Sequence, residues 1–301
     1  MLLNVFLGAA ALGLLWSIMT IGVFISFRIL TIPDLTVEGS IVLGAATASV
    51  GIVSGVNPYL ATAMAMFAGA ASGTVTGLMH TKLHIPALLS GILSMIALYS
   101  VNIRIMNSAN ISLLRMDTVF TPFVEMGLSR NVAVIAQGLL FIFAVIVVIN
   151  WFFRTEIGNA VRATGNNTEM AKAQGINTDT TKIMGLAIGN GLVGLSGGLI
   201  AQYLGFSDVQ MGQGAIVIGL ASLIIGEVLF GKNSIHRTLF SIVGGAITYR
   251  VIIALVLEAG MRATDLKLFT AITVAVALYL PYIKNEMEVR RKRRRENASN
   301  A

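Results

Sequence analysis

The chain has no cysteine in 301 residues, which excludes disulfides, thiolate catalysis and cysteine-held metals. Histidine is almost as scarce. Of the three, His80 and His84 are four apart, a spacing that could put two ligands on one helix face. No carboxylate lies between them, Pro86 follows and His236 is remote, so the pair reads as a loop feature rather than a metal centre. No Ser-His-Asp or paired-carboxylate arrangement stands out. The residues give no support to an enzyme, and no cofactor is expected. Gly226 to Gly231-Lys232-Asn233 has the spacing of a phosphate-binding loop up to its last position, but Asn stands where Ser or Thr would hold Mg2+, at the end of an apolar run. Charge is the third scarcity: 12% of residues, against about a quarter in soluble domains.

What fills the chain instead is apolar sequence, 55% of it, with a mean hydropathy of +0.82. Nine segments approach or reach the roughly 20 residues that cross a hydrocarbon core: 2–27, 38–56, 58–79, 86–103, 131–153, 183–206, 214–230, 238–257 and 266–283. The fold class is an all-α polytopic membrane protein. Residues 1–283 form one transmembrane domain and residues 284–301 a basic tail. Between Lys284 and Glu296 stand seven Lys/Arg and three Glu, including Arg290 to Arg295. A basic cluster beside a span is an orientation and lipid-surface signal rather than a nucleic-acid site, and it places the C-terminus in the cytoplasm. Alternation back along the chain puts residues 231–237, 154–182, 80–85 and 28–36 inside. Residues 106–130, 207–213 and 258–265 fall outside, with Asn57 and the N-terminus.

The inner stretch 154–182 is the most polar in the middle of the chain. It carries Arg162, Glu169, Lys172, Asp179 and Lys182, with turn signals at Gly165-Asn166-Asn167 and Gly175-Ile176-Asn177. Between the turns, residues 167–174 form a short helix, capped by Asn167 or Thr168 and ended by Gly175. An ordered polar helix between two spans suggests docking to a partner.

A repeat is visible. Gly39-Ser40-Ile41-Val42-Leu43-Gly44 aligns with Gly214-Ala215-Ile216-Val217-Ile218-Gly219, and each copy follows an aspartate, Asp34 or Asp208. The first copy opens a span running outward and the second one running inward, so nine spans divide as four, a connector and four, with the halves inverted. Inverted repeats place a solute path at their interface, beside interrupted helices. Ionisable and polar residues inside spans are costly and mark such a path, and here they are Glu38, Asn190, Glu227 and Arg250; Asp34, in the loop just before the second segment, is a further path candidate. Arg250, near the middle of the eighth segment, either faces the path and meets an anionic group or locks helices by pairing with Glu227, Glu38 or a carbonyl.

The run Arg162-Ala163-Thr164-Gly165-Asn166-Asn167-Thr168-Glu169-Met170-Ala171, continued by Gly175-Ile176-Asn177 and by Gly194-Leu195-Ser196-Gly197-Gly198, resembles the permease family of bacterial ABC importers for branched-chain amino acids and ribose. Asp34-Leu35-Thr36-Val37-Glu38-Gly39-Ser40 is similar to a second block of that family, with Glu38 inserted. Asn110-Ile111-Ser112-Leu113-Leu114 is similar to the subgroup that works beside aromatic-amino-acid-type binding lipoproteins. The resemblance implies a multi-pass protein of the bacterial cell membrane, paired with a second permease subunit that is identical (a homodimer) or closely related. ABC ATPase subunits, which bind the ATP, would dock from the cytoplasm, and an extracellular solute-binding protein would deliver an amino acid or similar small molecule. It also implies that the 167–175 helix is the coupling helix, with Arg162, Gly165, Asn166, Asn167, Glu169, Ala171, Gly175 and Ile176 in the ATPase-coupling segment. The competing reading is an ATP-independent secondary transporter, which would need coupling-ion carboxylates in mid-span, whereas Glu38 and Glu227 stand near span ends.

Overall fold

The computed structural model describes residues 2–231, 234–262, 265–266, 268–276 and 279. Eleven named helices are joined by short turns: α1 (Leu2–Val23), α2 (Thr36–Val53), α3 (Pro58–Thr81), α4 (Ala87–Met106), α5 (Thr121–Glu125), α6 (Arg130–Phe152), α7 (Glu156–Asn166), α8 (Thr168–Ala173), α9 (Thr178–Leu204), α10 (Ala215–Phe230) and α11 (Ile235–Glu258). Strands β1 (Asn110–Ser112) and β2 (Phe206–Asp208) pair antiparallel, with Ile111 opposite Ser207, and close one end of the bundle. At that end Arg130 donates to the Tyr203 carbonyl at 2.7 Å. The opposite end carries α7 and α8, the Lys82–Asp179 ion pair at 3.0 Å and the Arg28–Glu227 ion pair at 3.0 Å.

Among the described residues, six helices are long and apolar enough to cross a membrane. The other three of the nine expected spans differ for separate reasons. Segment 58–79 is a 24-residue helix, α3, but it is rich in Ala, Gly, Ser and Thr, which lower its hydropathy. Segment 214–230 is the 16-residue α10. Segment 266–283 is described only at 266, 268–276 and 279, all helical, and the tail 284–301 lies wholly outside the described residues.

The small residues of α3 have a packing reason. The 27-residue α9 runs through the centre of the bundle against α1, α2 and α3. Gly44 of α2 and Gly69 of α3 both press on the backbone of Gly194 in α9, and a Cβ at either would collide with backbone atoms. Lipid gives little hydrophobic drive between helices, so dispersion from such close approach must hold them together.

Two helices begin inside the bundle rather than at its ends. After α1 a π-helical turn, Phe24–Ile29, leads into a non-helical segment 30–35. That segment climbs alongside α9: Leu30 meets Gly185, and Asp34 reaches Asn190 near the middle of α9. The chain between β2 and α10 turns back likewise, and its Gly214 amide donates to Glu38 Oε1 at 3.0 Å. The starts of α2 and α10, the two copies of the sequence repeat, therefore meet within the protein and run on toward opposite ends. Non-helical backbone is tolerated at such depth only where protein or a cavity surrounds it.

Candidate translocation path and coupling surface

Asp34 and Asn190 are joined directly. Asp34 Oδ1 accepts from the Thr36 amide at 3.0 Å, and Oδ2 accepts from Asn190 Nδ2 at 2.6 Å. Asn190 Oδ1 accepts from Ser40 Oγ at 2.7 Å, and Ser40 Oγ lies 2.7 Å from Ser72 Oγ. Thr36, Thr76 and Ser94 extend the set through hydroxyl pairs at 2.8 and 2.6 Å. These groups are buried and tie α2, α3, α4 and α9 around the start of α2. These bonds join helix to helix, and Asp34 and Asn190, two of the expected path residues, are brought together within the set.

Glu38 and Arg250 instead line cavities. A cavity of about 480 Å3 lies between the first turn of α2 and α4, lined by Glu38, Gly39 and Val42 and by Met95, Ile96 and Asn102. A second, of about 340 Å3, lies beside the first turn of α10, with Gln213, Gly214 and Val217 on one wall, Thr270 and Ala271 on another, and Arg250 beside them. Glu38, Gly39, Val42, Met95 and Ile96 correspond to Gln213, Gly214, Val217, Thr270 and Ala271 at one constant interval in the sequence. The two cavities are thus the same place in the two inverted halves, and Gln213 lines both.

Arg250 pairs with neither Glu38 nor Glu227. Its guanidinium lies over the Trp16 ring of α1, 4.2 Å from the centroid, and its buried Nε has no hydrogen-bond partner. Glu227 sits at the far end of α10, paired with Arg28 of the π-helical turn. The Arg28 side chain is 43% exposed but that of Glu227 only 13%, so Arg28→Gln leaves a mostly buried carboxylate without its counter-charge and is expected to cost about 1–3 kcal/mol, read as a fall in thermal stability in detergent.

At the α7–α8 end, Thr155 caps α7 by accepting from the Gly158 amide at 3.2 Å, and Asn167 caps α8 by accepting from the Met170 amide at 2.9 Å. Gly175 follows α8 with φ 79°, a left-handed turn that suits glycine. Ala171 is buried, whereas Arg162, Asn166, Glu169, Met170 and Lys172 are exposed, with Glu169 and Lys172 3.2 Å apart. Gly165 is not in a turn: it lies in α7, against the carbonyl of Ile29, and its own carbonyl accepts from Thr31 Oγ1 at 3.3 Å. Helix α7 is, with α5 and the β1–β2 pair, an element that the sequence reading does not anticipate. Its signals were present, with Thr155 before Glu156 at the start and Ile157, Val161 and Thr164 at helical spacing.

Residues 5–278 match the family described as the permease component of the branched-chain amino acid transport system. The chain is 41% identical over 266 residues to the tyrosine transport system permease protein of Clostridioides difficile (strain R20291), covering 88% of each. It is 30% identical to the inner membrane ABC transporter permease protein YjfF of Escherichia coli (strain K12), over 79% of this chain and 70% of that one. Among solved structures, a metal-chelate-type ABC transporter in an inward-facing conformation is similar with a TM-score of 0.50 at 14% identity. That likeness covers 94% of this chain and 85% of the other, and it shows the fold.

Proposed function

Because the chain belongs to the permease family of branched-chain amino acid transport systems, and is thus the membrane-spanning subunit of an ABC importer, we propose that α7 and α8 are the surface through which a separate ATPase drives it. The observation that carries this reading is the contact between Gly165 of α7 and Ile29, at the foot of the segment that climbs to the start of α2. A displacement of α7 would reach that segment through backbone rather than through flexible side chains. The exposed row Arg162, Asn166, Glu169, Met170 and Lys172 faces away from the bundle and supplies both charges and an apolar side chain for a partner groove.

In this reading α7 and α8 are cytoplasmic and the β1–β2 end is extracellular. Segments 58–79 and 214–230, with the helix that includes 268–276, complete nine spans. Two copies of the chain form the pore, and an extracellular binding protein delivers the solute. The name of the Clostridioides difficile relative favours an aromatic amino acid. The path runs between the inverted halves, where the starts of α2 and α10 meet, and the two related cavities flank it.

The test is reconstitution in lipid with the candidate ATPase and binding protein, measuring ATP-dependent uptake of tyrosine. Glu169→Ala removes one partner of an exposed pair, so thermal stability is expected to change by less than about 0.5 kcal/mol. Association with the ATPase is expected to weaken about tenfold, since truncating a central interface residue commonly costs more than 1 kcal/mol. Unchanged association and uptake in Glu169→Ala and in Arg162→Ala together would remove the coupling assignment.

A further inference from the structure

We propose that the cavity between α2 and α4 is the half of the path that receives the primary ammonium group of the solute, with Glu38 and Asn102 as its recognition residues. This rests on the reading of the chain as an importer's permease and adds the chemistry of one site.

Three observations carry it. Glu38 Oε1 accepts from the Gly214 amide, and among the described residues no lysine, arginine or histidine lies within ion-pair distance of the carboxylate. Asn102 is 1% exposed and lines the same cavity; its Nδ2 donates to the Gly39 carbonyl at 3.2 Å, while its buried Oδ1 has no donor. A carboxylate without a counter-charge and an amide oxygen without a donor thus line one apolar-walled space, and an ammonium group supplies both missing partners. The third observation is the contrast with the related cavity. There the position of Glu38 is taken by Gln213, and the added charge is the Arg250 guanidinium. The repeat has placed opposite chemistry in its two halves, and the carboxylate half is the one at α2.

The absence of cysteine makes the test direct. Ser100, exposed on the wall of this cavity, is replaced in Ser100→Cys, the chain's single thiol, with Ile96→Cys as a second position on the same wall. In the chain reconstituted in lipid, 2-aminoethyl methanethiosulfonate is expected to modify either thiol at least about tenfold faster than the 2-sulfonatoethyl reagent, after normalising to a free thiol. Glu38→Gln keeps an oxygen for the Gly214 amide and removes the charge, and it is expected to bring the ratio to within about twofold of the free thiol. Methylammonium is expected to slow the modification, and sodium at the same concentration is not. A ratio near one in the single-thiol chain that keeps Glu38, a ratio insensitive to Glu38→Gln, or equal protection by sodium would each overturn the assignment.

In the complete importer, Glu38→Gln is expected to lower tyrosine uptake about tenfold, by the same charge attraction, while ATP hydrolysis stimulated by the binding protein stays within about twofold of the parent. Loss of both together would mark a structural role and overturn the inference. Absence of ATP-driven uptake in the parent would instead sink the importer reading, on which the thiol measurements do not depend.

Discussion

Gly165→Val is expected to abolish coupled transport, lowering uptake by more than about tenfold while the ATPase still binds. The Cα of Gly165 lies so close to the Ile29 carbonyl that any Cβ falls inside contact distance of backbone, which has no rotamer by which to yield. Overpacking of this kind costs typically 1–3 kcal/mol, and here α7 must back away from the π-helical turn to relieve it. The exposed face of α7 and α8 is untouched, so docking survives, and what is lost is the transfer of movement. Gly165→Ala is expected to lose nearly as much as Gly165→Val, because the first carbon is the obstruction. Gly127→Asn, at an exposed left-handed turn outside the coupling segment, serves as the control and is expected to keep most of its activity, since asparagine tolerates that conformation. Full uptake by Gly165→Ala, measured beside normal ATPase association, would show that the contact is not the transmitting one.

Two features beside that contact make the 29–34 segment suited to respond. Arg28 and Ile29 lie in a π-helical turn, a geometry found mostly at functional sites. Thr31 holds φ at 55°, a conformation that a β-branched residue adopts only under strain, and it hydrogen-bonds the Gly165 carbonyl from there. Three residues later Asp34 holds the start of α2. A displacement at α8 therefore has a short backbone route to the middle of the bundle.

Sequence reading found the spans because their physical signal is local: lipid and a packed interior both select apolar residues, so α1, α2, α4, α6, α9 and α11 appear as runs. The ends of those runs were less exact where helix and membrane do not coincide. Helix α9 starts at Thr178 rather than at 183, because its first polar turn, with Asp179 bound to Lys82, extends beyond the apolar part. Helix α7 was hidden by its own function in packing. Gly165 and Asn166 carry turn character as residues, and only the approach of Ile29 explains a glycine in the last turn of a helix. The depth of Asp34 left no local trace. Pro33-Asp34 looks like a loop at the membrane edge, and its burial beside Asn190 depends on contacts more than 150 positions apart, with |i−j| of 156. The same holds for Arg250: the residue was visible as an anomaly, but its lying over Trp16 rather than beside Glu38 or Glu227 is a property of how α11 crosses α1.

Asp34→Asn is expected to destabilise the protein by about 1–3 kcal/mol, the usual cost of leaving a buried polar group unsatisfied. The two oxygens of Asp34 serve two donors, the Thr36 amide and Asn190 Nδ2. An asparagine at this position has one oxygen, so it can accept from only one of them and must present its own amide hydrogens to the other. Asn190 presents its Nδ2 to residue 34 and its Oδ1 to Ser40, so the new amide hydrogens would face another N–H donor. The loss should be repaired in part by reversing the pair. In Asp34→Asn with Asn190→Asp, the new amide at 34 keeps its oxygen on Thr36 and donates to the new carboxylate at 190, which can still accept from Ser40. What it cannot restore is the bond from Asn190 Nδ2 to the Leu186 carbonyl, 3.1 Å in the parent, so recovery is expected to stop short of complete. Unfolding in mixed detergent for the parent, both single variants and the double variant gives the coupling energy of the cycle. A value of about 0.5–3 kcal/mol favouring the reversed pair is expected for groups in direct contact. Additive losses in the double variant would mean that Asp34 and Asn190 act separately, and that other contacts at the start of α2, among them Thr36–Thr76, Ser40–Ser72 and Asn102–Gly39, hold it in the bundle.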